Sequence, residues 1–326
     1  MFRRTAIAAA LLVASTAIPA QASAVPAAQQ GWPRTISGET ADRYPEGISW
    51  DPTRQAFLVG SLATGRVSAV DRSGRSRVVS EAPGVSTFGL HVDTARNRFL
   101  VTYADMGVGE NSSEATANVQ SGVAIYNLRT GRLERRVDLN TPRLNPPGGK
   151  HTANDLAIDQ RGNAYVTDPS GDAIYKVTPD GKASVLVRDA RLQGETIGMN
   201  GIVWDPSGYL LAVRYDNGKL YRISPHGAIT EVRLAQPLLG GDGLAFTADR
   251  KLVAVTNKLG AASVEAVTVL RSSDGYRSAQ VLTGQAWPIP GPTTIAISPY
   301  GAYVLSGRLE VLLSGGESDE FDLRRF

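Results

Sequence analysis

Six short apolar segments recur in one phase along the 326-residue chain, and this repeat restricts the fold more than any single motif does. They are Glu46-Gly47-Ile48-Ser49-Trp50, Phe88-Gly89-Leu90-His91-Val92, Asn154-Asp155-Leu156-Ala157-Ile158, Asn200-Gly201-Ile202-Val203-Trp204, Asp242-Gly243-Leu244-Ala245-Phe246 and Thr293-Thr294-Ile295-Ala296-Ile297. Their starts lie 42, 66, 46, 42 and 51 residues apart, and the third and fifth positions are large and apolar each time. Tight turns such as Asp51-Pro52-Thr53 and Asp205-Pro206-Ser207-Gly208 follow, then an apolar second run, a third strand and a half-polar fourth. A unit of this size cannot bury its own apolar faces and must stack on its neighbours. The sequence therefore predicts an all-β fold, a six-bladed β-propeller of four-stranded antiparallel blades. In the last unit Leu309 to Leu313 reads as a strand, but Gly315-Gly316-Glu317-Ser318-Asp319-Glu320 beyond it offers no convincing fourth. Arg34 to Ser37, upstream of the first blade, is expected to close blade six and cover its edge.

The two ends of the chain differ in kind. Arg3 and Arg4, the apolar run Ala6 to Ile18 and the small residues around Ala22 and Ala24 match an export signal, too short to span a bilayer. Residues 1–24 are accordingly expected to be a secretory signal peptide, and 25–326 a single propeller domain, secreted to the extracellular space or the periplasm. Setting Arg3 and Arg4 aside lowers the formal charge of +3 by two, leaving no electrostatic footprint for nucleic acid or an anionic membrane. The absence of cysteine excludes a disulfide framework, a thiolate nucleophile and a Cys-ligated zinc. A core must supply the stability, and a monomer is expected.

Strand direction assigns the long connections to one face. The segments 104–122, 140–153, 189–199 and 285–292 all fall on the face where the first strands begin, and long loops on a rigid scaffold are where binding sites collect. Around the channel mouth on that face stand Glu46, Phe88, Asn154, Asn200, Asp242 and Thr293. Four of these six carry carboxylate or carboxamide oxygens, the hard donors that calcium or magnesium prefers. Asn-Gly and Asp-Gly are also hairpin dipeptides. A hairpin, however, joins two strands within a blade, whereas these recur where first strands start.

With these motifs in view the chain resembles the gluconolactonase and regucalcin (senescence marker protein) family of six-bladed propeller lactonases. Pro45-Glu46-Gly47, Asn154-Asp155, Asn200-Gly201 and Asp242-Gly243, at blade spacing, carry the resemblance. It implies one divalent ion, calcium first and magnesium, manganese or zinc after it, bound by Glu46, Asn200 and Asp242. Asn154 would complete the shell or contact substrate, and Asp242 would act as the base. Members acting on sugar lactones often carry an arginine two residues before the first asparagine, where this chain has Thr152. Paraoxonase-like propellers place a histidine where this chain has Phe88. Phe88, with Trp287 and Ile289, is expected to form an apolar wall for a less polar substrate, and Thr293 to join the substrate-facing ring.

Among the three histidines, His226 reads as a solvated turn residue and His91 as a buried structural one. His151, three residues before Asn154, is the candidate for proton transfer or substrate contact. No Gly-x-Ser-x-Gly segment supports a serine triad. The expected activity is divalent-metal-dependent hydrolysis of small lactones or related esters, the ion polarising the carbonyl for attack by water. The alternatives are a non-catalytic ligand- or partner-binding propeller with a structural calcium ion, or an enzyme resembling strictosidine synthase.

Overall fold

The computed structural model describes residues 31–326, so the expected signal peptide lies outside the described residues. Six four-stranded antiparallel sheets follow one another. Blades one to five span 48–80, 86–138, 156–188, 199–231 and 241–286, each with strands in sequence order from the channel outward. Burial explains the order. Second strands such as Ala56–Val59, Arg98–Ala104 and Ala164–Thr167 are buried at every residue, because both faces pack on neighbouring blades. The outermost strands are polar and open, Gln280–Ala286 at every position.

The core is not central but divided among the seams between blades. Leu100, Val123 and Ile125 of blade two pack on Leu156, Val166 and Tyr175 of blade three. Leu211 and Val213 of blade four do the same with Leu244, Leu252 and Ala254 of blade five. Residues alternating along a strand feed the two seams in turn, which is why a period of two persists in buried strands.

Blade six closes as expected, but with different parts. Its order is Thr35–Glu39, Glu320–Arg325, Gly301–Ser306 and Pro292–Ser298, so an N-terminal strand forms the outer edge. Ile36 pairs with Leu323, and both are buried. Leu309–Leu313 is a short α-helix, not a strand. Arg308 enters it from the left-handed region (φ 60°), and Gly315 (φ 79°) leaves it. The strand role passes to Glu320–Arg325, whose Phe321 and Leu323 are 1% and 0% exposed. Freed from pairing, the leucine-rich helix lies on the face where first strands begin. No helix of the described residues is long and apolar enough to cross a membrane.

Candidate functional site

The ring residues owe their direction to irregular pairing. In blades two, four, five and six the register between first and second strands shifts at Thr87/Leu90, Met199/Ile202, Gly241/Leu244 and Pro292/Ile295. Phe88, Asn200, Asp242 and Thr293 lie inside these shifts, and a bulge of this kind re-aims a side chain without moving the strand. Glu46 and Asn154 stand two residues before the first strands of blades one and three, Ile48–Asp51 and Leu156–Ile158.

The glycine after a ring residue is needed for close approach, not for a turn. A Cβ on Gly201 would lie 1.7 Å from the Asp242 carbonyl oxygen, and one on Gly47 would lie 2.0 Å from that of Phe88. Neither glycine has positive φ, as a type I′ hairpin dipeptide would require. Where a glycine follows the ring residue, in blades one, two, four and five, it packs against the start of the next blade's first strand. Side chains also hold the ring's own carbonyls: the hydroxyl of Thr167 donates to Asn200 O (2.6 Å), that of Thr293 to Glu46 O (2.8 Å) and that of Thr102 to Asn154 O.

Glu46, Asn154, Asn200, Asp242 and Phe88 line one cavity of about 300 Å³. Its floor is polar and its walls are largely apolar, with Leu62, Ile197, Leu259, Leu309 and Leu312 among them. Among the described residues no lysine, arginine or histidine lines it. The side-chain oxygens Oδ1 of Asn154 and Asn200 are buried and have no hydrogen-bond partner. Asp242 Oδ2 accepts from Asn257 Nδ2 (2.6 Å), and Asn257 Oδ1 accepts from the Tyr215 hydroxyl (2.5 Å). Asn257 and Tyr215 were not expected from sequence. A signal existed, since Asp105, Asp168 and Asn257 each directly follow a second strand ending in Ala or Thr.

Asp155, the neighbour of a ring residue, is a third acid close by, half-buried where Glu46 and Asp242 are buried. A neck of about 10 Å³ between the upper cavity and the lower channel is lined by Glu46, Asp155 and Asp242. Asp155 accepts from the backbone N–H groups of Leu156 (2.8 Å) and Ile202 (3.1 Å). Burial raises its carboxyl to about 7 despite these bonds. Burial likewise lifts Asp242 to about 8, with the Asn257 bond opposing and Asp155 reinforcing. Glu46 is raised well above the carboxylate range by burial first, then by Asp242 and Asp155. The three acids raise one another's proton affinity, and among the described residues no cationic side chain lines the cavity or the neck.

A divalent cation fits this donor set. Two carboxylates and two orphaned carboxamide oxygens are hard oxygen ligands, and among the described residues no cationic side chain lines the cavity to neutralise the acids. Among the described residues no three His, Cys, Asp or Glu side chains converge as a metal-holding group. Asn154 and Asn200, with their partnerless oxygens, would complete such a shell beside the two carboxylates.

Three expected contacts fall elsewhere. His151 does not line the cavity: Nδ1 is 2.7 Å from Asp168 Oδ2, and Nε2 is buried against Gly149 with no partner. Asp168 also accepts from Thr152 N (2.9 Å) and the Tyr175 hydroxyl (3.2 Å), so this dyad anchors the loop leading to Asn154. Trp287 packs with Val255, Val267 and Ile295 in the seam between blades five and six, and Ile289 lies against the same cluster. The sequence placed Trp287 on the correct face but could not show that its ring turns inward. Thr293 is fully buried, its hydroxyl committed to Glu46 O. His91, expected to be buried, lines the lower channel of about 440 Å³ on the opposite side. His226 is exposed in its turn, as expected.

A family model described as the SMP-30/gluconolactonase/LRE-like region matches residues 44–214. The major allergen Mal f 1 of Malassezia furfur is 22% identical, covering 88% of this chain and 89% of that protein. The structure of the allergen Mala s 1 of Malassezia sympodialis superposes with a TM-score of 0.71 at 20% identity, over 90% of this chain and 95% of that one. A gluconolactonase of Xanthomonas campestris gives 0.59 at 16% identity, over 86% of each chain. The calcium-binding protein regucalcin of Agrobacterium tumefaciens gives 0.57 at 17%, over 86% and 89%. At these identities the structural neighbours establish the fold alone, whereas the sequence match spans more than half of the chain: the protein belongs to the SMP-30/gluconolactonase/LRE-like family.

Proposed function

We propose that the protein is a secreted, divalent-metal-dependent hydrolase of lactones or related esters, with calcium as the first candidate ion. One observation carries this reading: Glu46, Asp242 and two partnerless carboxamide oxygens line the floor of an apolar cavity that no cationic side chain of the described residues reaches. The names of the Xanthomonas campestris and Agrobacterium tumefaciens neighbours, a gluconolactonase and a calcium-binding protein, support it. Glu46, Asn154, Asn200 and Asp242 would hold the cation, which when bound supplies Lewis-acid polarisation of a carbonyl oxygen.

The chain's own groups do the rest. Phe88 and the leucines exclude bulk water from the floor, which strengthens every charge interaction there. Asp242 is the candidate proton acceptor, held in one orientation by Asn257 Nδ2. His151, tied to Asp168 outside the cavity, positions the Asn154 loop instead of moving protons at the substrate.

The test is hydrolysis of a lactone and aryl-ester panel after chelation, then with calcium, magnesium, manganese or zinc restored. Turnover should vanish with the chelator and return with one ion, and Asp242→Ala should abolish turnover while weakening cation binding. Tight calcium binding with no turnover on any member would replace the hydrolase by a binding propeller.

A further inference from the structure

We infer that the substrate is a lactone or ester bearing an alkyl tail, bound with its carbonyl on the acidic floor and its tail beneath the Leu309–Leu313 helix. This rests on the hydrolase reading above and names the substrate class for that site.

The walls leave few hydrogen bonds to offer. The Tyr215 hydroxyl already donates to Asn257 Oδ1 (2.5 Å) and accepts from Gly260 N (2.9 Å). The Asn257 amide donates to Asp242 Oδ2 (2.6 Å) and to Pro292 O (2.8 Å). Thr152 and Ser170 meet hydroxyl to hydroxyl at 2.9 Å, leaving a single neutral donor between them for a ligand. Thr196 adds one further hydroxyl, and on the hydrolase reading the floor's carboxylates and carboxamides are taken by the cation, so a polyhydroxylated lactone would lose more water hydrogen bonds than it regains, which is costly for each buried hydroxyl left unpaired.

Apolar surface, by contrast, runs unbroken from floor to mouth. Phe88 and Leu62 begin it, Leu309 and Leu312 continue it, and Leu313 and Met106 end it at 53% and 47% exposure. An alkyl tail would cover the last two. The helix that replaced the expected strand contributes three of these side chains, so the feature is built into the closure of blade six. At about 300 Å³ the cavity stands at the small end of ligand pockets, which suits a ring with one modest tail. The reaction is ordinary hydrolysis: the water oxygen bonds to the carbonyl carbon, the ring or ester C–O bond breaks, and the water proton passes to the leaving alkoxide.

The experiment uses the calcium-loaded chain with γ-butyrolactone, γ-hexalactone, γ-decalactone and glucono-δ-lactone. Calorimetry of the matching non-hydrolysable lactams runs in parallel. The expected result is a rise in kcat/KM of about fourfold per buried methylene, the ratio that hydrophobic burial gives. Glucono-δ-lactone should fall about 100-fold below the best alkyl lactone. Lactam affinity should climb with the same slope, and Leu312→Gln or Leu313→Gln should flatten it. Turnover of glucono-δ-lactone at or above the alkyl lactones would overturn the substrate class and leave the hydrolase standing. Chain-length-dependent lactam binding with no lactone turned over would keep the apolar ligand and sink the hydrolase. A slope untouched by both substitutions, or lactams that do not bind, would overturn the assignment of the tail to this wall.

Discussion

Three acids whose proton affinities are raised together give the site a thermodynamic signature of its own. In the unfolded chain Glu46, Asp155 and Asp242 ionise near the ordinary carboxylate value of about 4. In the folded, cation-free protein burial keeps Asp155 protonated to about 7 and Asp242 to about 8, with Glu46 also raised. Between these values the unfolded state has released protons that the folded state retains, so stability falls as pH rises. Surface acids drawn down by partners, such as Asp189 at about 2 beside Arg191, are ionised in both states above pH 5 and drop out. His91, whose charged form is disfavoured on the wall of the lower channel, contributes with the opposite sign but stands apart from the ring. The Tm in chelator should therefore decrease from pH 5 to pH 8, and calcium should recover the loss at pH 8 while doing little at pH 5. A Tm rising over that range in chelator, or an equal calcium effect at both ends, would contradict a cation site on these acids. Asn257→Leu should weaken calcium about tenfold, as removing the hydrogen-bond support of a ligand does. The ring was legible because its members recur at blade spacing. Asn257 stood in a recurring place, directly after a second strand, but that place does not show which side chain it supports, and its bond to Tyr215 joins blades four and five, far apart in sequence.

At the scale of elements, bulge and glycine act together. Bulges at the first strands turn Phe88, Asn200 and Asp242 toward the cavity and Thr293 onto the Glu46 carbonyl, and the glycines after the first three admit the neighbouring backbone. Gly201→Ala would set a methyl group 1.7 Å from Asp242 O, and backbone cannot yield there cheaply. It should cost about 2 kcal/mol or more and weaken calcium in proportion, since Asn200 and Asp242 would both shift. Wild-type melting and calcium affinity in this variant would show that the close approach is not needed. The His151–Asp168 pair makes the converse case, a candidate catalytic residue that geometry turns into an anchor. His151→Ala should lower stability by about 1–3 kcal/mol through the stranded Asp168 carboxylate, with kcat of the folded enzyme changed only a few-fold. Loss of kcat at unchanged stability would restore His151 to the chemistry. The same limit explains Leu309–Leu313: five apolar and acidic residues suit a strand or a helix equally. Pairing with Glu320–Arg325, distant in pattern but better alternated, settled which it became.

Closure makes the ring a property of the whole chain. Thr35–Glu39 supplies the outer strand of blade six, and blade six in turn supports blade one at the site. Thr293 donates to Glu46 O, and the Gly307 backbone lies so near Pro45 that a Cβ would stand 1.9 Å from its carbonyl oxygen. Glu46 is thus held by the seam where the chain's two ends meet, whereas Asn154 and Asn200 belong to seams made by consecutive blades. The pattern of apolar runs made the six blades and the closing strand readable. It could not reveal this asymmetry, which arises only when the last blade is packed on the first. The consequence is testable far from the cavity. Ile36, 2% exposed and paired with Leu323, anchors the closing strand. Ile36→Asp buries a carboxylate where an apolar side chain packed, and should destabilise by about 3 kcal/mol or more. If closure carries Glu46, this variant also binds calcium more weakly at temperatures well below its Tm. An equally destabilising change in the seam between blades three and four, such as Leu210→Ala, would disturb Asn200 while leaving Glu46 in place. Isotope-edited carboxylate spectra distinguish the two, because only Ile36→Asp should alter the Glu46 band when calcium is added. Identical spectra in both variants, at matched loss of stability, would mean that the seams share the load evenly and that closure has no privileged hold on the site.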